Sequence, residues 1–349
     1  MEQLKAAIIG AGRMAGTIDD EVVHYPACQR PYSHAAGYAA VPEVDLVAFA
    51  DIDQAKVRSL QQRYGVPRGY ADYREMIDKE KPDIVSITTP CTSHAEMTIF
   101  AAEHGAKGIY AEKAFACSPA EADAIVEAVE RNNVKYNMGT RRRWHAGANK
   151  ARELIDRGDI GAVNTVISYG VGGMLHTASH YFDLLMYLAG DRTIEWIQGA
   201  VLNEDFDPSA SRWETDLSGE GVIQFEGGCR GRAFNTSLTG EFEVIGSEGA
   251  IRTTNNGLRW YLRRAEPIDG YARNEFNIRQ FPHYTDESPT VRLIRDLVQA
   301  IRTDSPTQQG VRRAAVTAEI AFGIVESHRR GGAKVSLPVK NREFWMFSH

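Results

Sequence analysis

Short apolar runs alternate with amphipathic stretches over the first 140 residues, and this alternation limits the folds open to the chain. The runs are LKAAIIG, VDLVAFAD, PDIVSITTP, KGIYAEKAF and VKYNMGT. The stretches between them predict helices at Ala35–Ala40, Gln54–Tyr64, Ser93–His104 and Pro119–Asn132. Strands that alternate with helices build a doubly wound parallel sheet. We therefore predict an α/β domain with such a sheet over residues 1–140.

The pattern changes after residue 145, where glycine-rich runs with partial alternation predominate. The runs GEGVIQFEGG, CRGRAFNTSL, GEFEVIGSEGAIRTT and LRWYLRRAE predict a large, mostly antiparallel sheet with one solvated or partner-covered face. The other predicted elements are helices at Ala148–Arg157, Ser179–Leu188, Val291–Arg302 and Val311–His328, and a strand at Val163–Tyr169. Residues 141–349 are thus predicted to form an α+β domain, with the closing helix near the first domain.

Charge and cysteine usage exclude several classes of protein. A net charge of -6 argues against a general nucleic-acid binder, which needs a basic face. The four cysteines, Cys28, Cys91, Cys117 and Cys229, form no Cys-x-x-Cys pair, so neither a disulfide framework nor a zinc ribbon is indicated. Apolar runs are too short for a signal peptide or a membrane span. We expect a cytoplasmic protein that binds small molecules.

A glycine pattern directly follows the first predicted strand. Gly10, Gly12 and Ala15 form G-x-G-x-x-A, in which small residues let the backbone approach a pyrophosphate at a helix N-terminus. The pattern predicts a Rossmann dinucleotide site that includes Arg13 and Met14. Asp51 closes the second strand, where a carboxylate accepts hydrogen bonds from ribose hydroxyls and repels a 2′-phosphate. NAD is therefore predicted in preference to NADP.

Asp51 lies farther from the glycines than the usual spacing of about 20 residues, which implies an inserted loop within Thr17–Ser33. This loop and its end are rich in ring and cationic side chains: His24, Tyr25, Arg30, Tyr32 and His34. The loop could lie over a binding cleft or form a solvated excursion, and both interpretations remain open.

Two further strand ends carry candidate cofactor residues. Thr89 and Pro90, with His94, follow the strand PDIVSITTP and are predicted to border the nicotinamide ribose, although His94 could equally be a satisfied histidine at a helix start. Glu112 and Lys113 follow the next strand. A lysine at a buried strand end that faces a cofactor crevice is costly unless it has a role.

The glycine pattern, TTP with its following histidine, AEKAF and GGMLHTASHYFD together resemble the Gfo/Idh/MocA family, which includes glucose-fructose oxidoreductase and inositol dehydrogenase. The resemblance covers most of the chain, including GDIG at 158–161, SEG at 247–249 and the closing helix before VSLP. It implies an NAD-binding Rossmann domain followed by a substrate domain.

The resemblance also implies roles for individual residues. Lys113 matches a lysine that hydrogen-bonds the reacting oxygen, with Ala114 in place of the family's proline, and His180 matches the catalytic histidine and would act as general base. His176 stands where many relatives carry Asp or Asn. On a helix, 176, 180 and 183 would share a face, so Asp183 could orient His180 or hold a substrate hydroxyl.

The same histidine spacing is compatible with a metal site or with core histidines. Because no H-E-x-x-H motif accompanies it and nicotinamide chemistry needs no metal, we predict none.

The run Arg141-Arg142-Arg143-Trp144 lies at the expected domain boundary and is a candidate substrate site. In an extended segment Arg141 and Arg143 would share one face, where a guanidinium could bind a carboxylate, sulfonate or phosphate. The alternative is a solvated or subunit-facing run of charge.

Three functions are compatible with these residues. The leading one is NAD-dependent oxidation of a secondary hydroxyl on a sugar, sugar derivative or cyclitol. The second is an NAD-dependent glycoside hydrolase that oxidises transiently, eliminates the aglycone and returns the hydride, with His176 as a second base and possible acidic sugar substrates. The third is a non-catalytic NAD-binding sensor. The sheet with one uncovered face predicts a homodimer or homotetramer.

Overall fold

A computed structural model describes residues 3–170, 172–271 and 273–348. The chain divides into two compact units. The first unit contains the residues up to Arg141, Glu287–Ala318 and the end of the chain from Phe347, and the second contains Arg142–Asp286 and Glu319–Met346.

The first unit is built on a parallel sheet of six strands: β1 (Leu4–Ile9), β2 (Val44–Ala50), β3 (Arg68–Tyr70), β4 (Ile84–Ile87), β5 (Gly108–Ala111) and β6 (Lys135–Met138). Their order is β3-β2-β1-β4-β5-β6 and every neighbouring pair is parallel. The strands β4 and β5 are buried along their whole length, as expected for a sheet covered on both faces. The prediction of a Rossmann sheet is confirmed.

The helices that alternate with these strands are α1 (Ile18–Glu21), α2 (His34–Ala39), α3 (Gln54–Tyr64), α4 (Tyr73–Glu80), α5 (His94–Glu103) and α6 (Pro119–Arg131). Side-chain caps determine where several of them begin. Ser33, Asp53, Asp72 and Ser118 each accept a hydrogen bond from a backbone N–H in the first turn that follows. The sequence patterns did not predict β3 or α4.

The second unit contains helices α7 (Ala146–Asp156) and α8 (Ala178–Leu188) and strands β7 (Val163–Tyr169), β8 (Ile194–Val201), β9 (Arg212–Trp213), β10 (Gly219–Phe225), β11 (Arg230–Phe234), β12 (Glu241–Gly246), β13 (Gly249–Thr254), β14 (Arg259–Pro267), β15 (Asn274–Arg279) and β16 (Trp345–Met346). Eight strands form one sheet in the order β15-β14-β13-β12-β7-β11-β10-β8. Only β7 and β11 pair in parallel within it, which confirms the mostly antiparallel prediction. The short strands β9 and β16 pair separately.

Two helices complete the described structure: α9 (Pro289–Thr303) and α10 (Gly310–Arg329). The helix α10 begins in the first unit and ends in the second. Across the three described ranges, no helix combines the length and apolar character needed to cross a membrane.

The eight-stranded sheet has two different faces. Along β7, Val166 and Ser168 are buried, whereas Ile167 and Tyr169 between and after them are half-exposed. Tyr169 stacks on Phe234 with ring centroids 6.1 Å apart. Apolar groups on a partly exposed sheet face are typical of a surface that is covered by another copy of the chain.

We therefore expect light scattering to give two or four times the chain mass at micromolar concentration. A charge in the middle of this face, as in Ile167→Glu, should shift the population toward monomer. Arg232 lies opposite Ile167 on β11, but burying the carboxylate costs more than an ion pair with this arginine would return. Val23→Glu, on the first unit at a side chain that is already 42% exposed, is the matched control. A monomeric mass for the unaltered protein would contradict the prediction of a dimer or tetramer.

Candidate active site

The glycine turn after β1 provides close backbone approach. Gly10 has φ +91°, and a Cβ there would lie 2.9 Å from the Thr88 Oγ1 and 3.0 Å from its carbonyl carbon. At Gly12 a Cβ would meet no atom within 4 Å, so the backbone faces open space there. This is the cradle that a dinucleotide pyrophosphate requires, and the residues present fit that group.

The predicted glycine-loop side chains differ in their surroundings. Arg13 is two-thirds exposed and donates to both carboxylate oxygens of Glu21, and the hydrogen bond and charge of Glu21 raise the pKa of Arg13. Met14 is half-buried. Its Sδ lies 3.7 Å from a guanidinium nitrogen of Arg141. The segment Arg13–Thr17 forms one π-helical turn that leads into α1.

Asp51 is held over the glycine turn at the carboxyl end of β2. Its carboxylate accepts hydrogen bonds from the Ala11 N–H at 2.6 Å and the Asp53 N–H at 2.8 Å. A cleft of about 590 Å³ opens beside it. Lining residues include Gly10, Gly12, Asp51, Ile52, Thr89, Pro90, Ser93 and Met97. The Asp51 carboxylate can therefore face a ribose bound in this cleft.

The buried side chain of His94 links two strand ends. Its Nδ1 lies 2.7 Å from the Ala114 carbonyl oxygen and its Nε2 lies 2.8 Å from the Thr89 carbonyl oxygen. Burial lowers the pKa of His94. A neutral imidazole has a single N–H, so it donates to one of these two carbonyls. The histidine thus holds the backbone beside the cleft.

Lys113 follows β5 and is half-buried. The strand continues into this segment, because the Glu112 N–H donates to the Ile87 carbonyl at 2.8 Å. The peptide bond between Lys113 and Ala114 is cis, although Ala114 is not a proline. The Ala114 carbonyl oxygen lies 2.7 Å from the buried His94 Nδ1, so both neighbours of Lys113 make contacts with buried groups.

Glu112, predicted to line the cofactor site, points into a buried cluster. Its Oε1 accepts hydrogen bonds from Arg141 at 3.0 Å and from His34 Nε2 at 3.1 Å. Burial alone would raise the pKa of Glu112, but the charge of Arg141 and the hydrogen bond from His34 lower it well below the ordinary range. Arg141 also lies 4.0 Å from the centre of the Tyr32 ring.

The arginine run is not extended: Arg141–Trp144 forms a 3₁₀ turn, so the expected alternation of faces is wrong. Arg143 is fully buried and binds Asp183 and Asp191, with shortest N–O distances of 2.8 Å to each. Arg142 is half-buried and donates to the Asn256 Oδ1 at 2.7 Å. Trp144 is 2% exposed. The structure thus brings Arg143 and Asp183 together as an internal ion pair.

His176 and His180 lie on a turn and a helix, respectively. Because α8 begins at Ala178, His176 precedes the helix, and the predicted shared helical face of 176, 180 and 183 is wrong. Both histidines are half-exposed. The carboxylate of Asp216 accepts hydrogen bonds from the Leu175 and His176 N–H groups at 3.1 and 2.8 Å and so fixes this turn.

Residues 4–140 match the family described as an oxidoreductase family with an NAD-binding Rossmann fold. Residues 167–337 match the C-terminal alpha/beta domain of the same oxidoreductase family. The chain belongs to the Gfo/Idh/MocA oxidoreductase family. It is an NAD-dependent oxidoreductase of that family.

Several members of the Gfo/Idh/MocA family are similar to this chain over most of their length. Myo-inositol 2-dehydrogenase of Thermotoga maritima is 24% identical over 272 residues, covering 72% of this chain and 75% of the relative. Levoglucosan dehydrogenase of Pseudarthrobacter phenanthrenivorans is 26% identical over 338 residues, covering 80% of each. D-apiose dehydrogenase of Paraburkholderia graminis is 30% identical over 242 residues, covering 63% of this chain and 64% of the relative.

A solved structure of levoglucosan dehydrogenase in complex with NADH and L-sorbose has the same fold. Its TM-score is 0.75 at 22% identity, and the match covers 97% of this chain and 100% of that one.

Within this family framework, the structure adds two residues that the sequence did not single out as site residues. Asp216 comes from the segment before β10 and reaches back to the turn before α8, so no local pattern indicates its role. Ser86 lies within β4 and contacts His34. Neither residue forms a motif with its sequence neighbours, and only the fold identifies them.

In the described ranges, no group of three or more His, Cys, Asp or Glu is arranged to hold a metal ion.

Proposed function

We propose that this protein oxidises a secondary hydroxyl of an uncharged sugar, sugar derivative or cyclitol, with NAD as the hydride acceptor. The observation that carries the proposal is the cleft beside the glycine turn. Asp51 and the open backbone at Gly12 line this cleft, as do Thr89 and Pro90, which follow β4. Lys113 follows β5, the strand that neighbours β4 in the sheet.

The cofactor would be held by the first unit's own residues. Gly10 and Gly12 allow the pyrophosphate to approach the backbone, and Asp51 accepts from the adenosine ribose. Thr89 and Pro90 border the other end of the cleft. NAD, when bound, supplies an acceptor for the hydride that leaves the substrate carbon.

Lys113 and His180 are the proposed reacting groups. The Lys113 ammonium donates a hydrogen bond to the substrate oxygen and holds it while the carbonyl forms. The His180 imidazole removes the hydroxyl proton. The proton thus goes to His180 and the C–H electron pair leaves with the hydride. Asp216 fixes the turn that precedes His180 through the Leu175 and His176 amides.

The surroundings of the arginine run favour a neutral substrate. Arg141 is bound to Glu112, and Arg143 is bound to Asp183 and Asp191, so these two guanidinium groups already face carboxylates of their own unit. Arg142 is bound to the neutral Asn256 amide instead. The relatives named above are dehydrogenases of an inositol, of apiose and of levoglucosan, all of which are uncharged polyols or sugars. This supports a neutral polyol substrate and weakens the case for an acidic sugar.

The test is a substrate panel with NAD at neutral and alkaline pH. Myo-inositol, scyllo-inositol, D-apiose and levoglucosan are each added, and NADH is followed at about 340 nm, where the reduced nicotinamide absorbs. Turnover of at least one compound is expected. NAD-dependent release of nitrophenol from nitrophenyl glycosides without net NADH would instead identify a hydrolase, and NAD binding with neither reaction would identify a sensor.

Cofactor choice gives a separate prediction. NAD should bind at least about tenfold more tightly than NADP, because the Asp51 carboxylate repels a 2′-phosphate and is followed by Ile52 and Asp53 rather than by arginine. Asp51→Ser should narrow that difference, mainly by weakening NAD binding. Fluorescence titration with NADH and NADPH measures both affinities. Tighter NADPH binding by the unaltered protein would contradict the proposal.

A further inference from the structure

The inserted segment before α2 ends in a firmly held turn. The Asp19 carboxylate accepts hydrogen bonds from the Tyr32 N–H at 2.7 Å and the Ser33 N–H at 2.9 Å. Two residues from a later stretch of the sequence, at the start of α9, hold the same turn. The Ser288 hydroxyl donates to the Pro31 carbonyl, and the Thr290 hydroxyl donates to the Tyr32 carbonyl at 2.9 Å. The earlier part of the segment, with His24, Tyr25 and Arg30, is exposed. Because this turn is held, the next residue, His34, lies in the interior.

His34 lies within a continuous buried chain of hydrogen bonds. The Tyr38 hydroxyl lies 2.6 Å from the Ser86 Oγ, which is 3.0 Å from His34 Nδ1, and His34 Nε2 is 3.1 Å from the Glu112 Oε1. The imidazole is fully buried and stacks on the Tyr110 ring at 3.7 Å. Burial lowers the pKa of His34, which favours the neutral ring.

With a neutral imidazole, this chain of hydrogen bonds has one consistent arrangement of protons. A neutral His34 with its proton on Nε2 donates to Glu112 and accepts at Nδ1 from the Ser86 hydroxyl, which in turn accepts from Tyr38. Every donor in the chain then has an acceptor. The reverse tautomer would place a lone pair of Nε2 against a carboxylate oxygen, which is repulsive. The chain therefore ends in a directed hydrogen bond to Glu112.

The Glu112 carboxylate is confined on its other sides. Arg141 donates to the same oxygen at 3.0 Å, and a Cβ at Gly139 would lie only 2.7 Å from it. Glu112 is 3% exposed and directly precedes Lys113. Because adjacent residues share a peptide unit, rotation of the Glu112 backbone moves the origin of the Lys113 side chain.

We infer that His34 is a positioning residue for Lys113, which it fixes by holding the Glu112 carboxylate at the end of β5. The inference rests on the proposed function for the reactive role of Lys113, but not for the hydrogen-bond chain itself. The inserted segment thereby has a defined purpose: its held end places His34 behind the reactive strand end. Arg141 belongs to this support, as the second donor to Glu112.

Two variants of His34 distinguish its hydrogen bond to Glu112 from its hydrogen bond to Ser86. His34→Gln places an amide N–H near the Nε2 position, where it can still donate to Glu112. His34→Asn is one methylene shorter and can bond Ser86 only. Tyr38→Phe is the matched control, because it removes a buried hydroxyl from the same chain and leaves the bond from His34 to Glu112 intact.

The first readout is amide hydrogen exchange, which requires no substrate. In His34→Asn, the peptide covering Gly108–Cys117 should exchange roughly tenfold faster, with smaller changes elsewhere. His34→Gln and Tyr38→Phe should leave that peptide close to the unaltered protein. A uniform acceleration over the whole chain in His34→Asn, or the same local change in Tyr38→Phe, would overturn the inference.

The second readout is steady-state kinetics with whichever panel compound is turned over. His34→Asn should lower kcat by about tenfold or more, within the range that a displacement of 1 Å can cause, with little change in NADH affinity. His34→Gln should restore most of the kcat. If Lys113→Ala is inactive but His34→Asn is not impaired, the inference fails alone. If Lys113→Ala is fully active, the proposed function fails whatever the exchange data show.

Discussion

Lys113→Ala is expected to lower turnover by roughly 10² to 10⁴, the range typical of a positioned group in proton-transfer and polar catalysis. The loss arises because no cation then holds the substrate oxygen as the carbonyl forms. NAD affinity should change little, since the main proposed cofactor contacts are those of Gly10, Gly12 and Asp51. Initial rates at saturating NAD and fluorescence titration with NADH measure the two effects.

Lys107 offers a matched control for this substitution. It immediately precedes β5, whereas Lys113 follows it, so the two lysines lie at opposite ends of one strand. The Lys107 side chain is 61% exposed, and its ammonium pairs with Asp83. Lys107→Ala should therefore keep turnover near that of the unaltered protein, as expected for loss of one surface ion pair.

His180→Ala should also reduce turnover strongly, with the loss partly relieved at high pH if the imidazole removes a proton. His176→Ala distinguishes the two enzyme classes, because in a hydrolase cycle it should spare hydride exchange and abolish aglycone release. Near-normal turnover in both Lys113→Ala and His180→Ala would show that the site assignment is wrong.

The sequence was sufficient for the architecture because the architecture depends on periodic burial. Short apolar runs between amphipathic stretches predicted five of the parallel strands. The helix α4 was overlooked although Asp72 caps it and Glu75 stands in its first turn, a local signal that the sequence contains. The strand β3 is only three residues long and largely exposed, so it has no apolar run to indicate it.

The sequence was insufficient where tertiary pairing decides what a charged side chain does. Neighbouring arginines look equivalent in a run, yet Arg141 binds Glu112 of the first unit and Arg143 binds Asp183 of the second. Their partners lie far along the chain, and the 3₁₀ turn removes the alternation that an extended segment would have. His34 is similar: its role depends on Ser86 and Glu112, which only the sheet brings together.

Arg143→Met is expected to lower the free energy of unfolding by about 3–5 kcal/mol, the typical cost of removing one partner of a buried ion pair. Burial opposes the charge on Arg143, but the charges and hydrogen bonds of Asp183 and Asp191 raise the pKa of Arg143 above its ordinary value. The Arg143 and Asp183 side chains are both completely buried. Removing the guanidinium leaves the Asp183 carboxylate in the interior without that cation.

Equilibrium urea unfolding, followed by tryptophan fluorescence, measures this loss. Arg142→Met is the matched control, since Arg142 is half-buried and its hydrogen-bonding partner is the Asn256 amide rather than a carboxylate. Arg142→Met removes two hydrogen bonds to one amide oxygen and the contact of the guanidinium with the Tyr181 ring, but leaves no buried carboxylate without its cation. Its cost should therefore stay at about 1–2 kcal/mol, below that of Arg143→Met.

The double variant Arg143→Met with Asp183→Leu separates the pair's intrinsic contribution from the penalty of an uncompensated charge. Apolar replacements of a buried pair are often neutral or stabilising, so the double variant should recover most of the stability that Arg143→Met loses. Asp191 limits the recovery, because it also binds Arg143 and is 14% exposed, so water can solvate its carboxylate only in part. A double variant as unstable as Arg143→Met would mean that the packing of the guanidinium and its pairing with Asp191 stabilise the fold more than its neutralisation of Asp183 does.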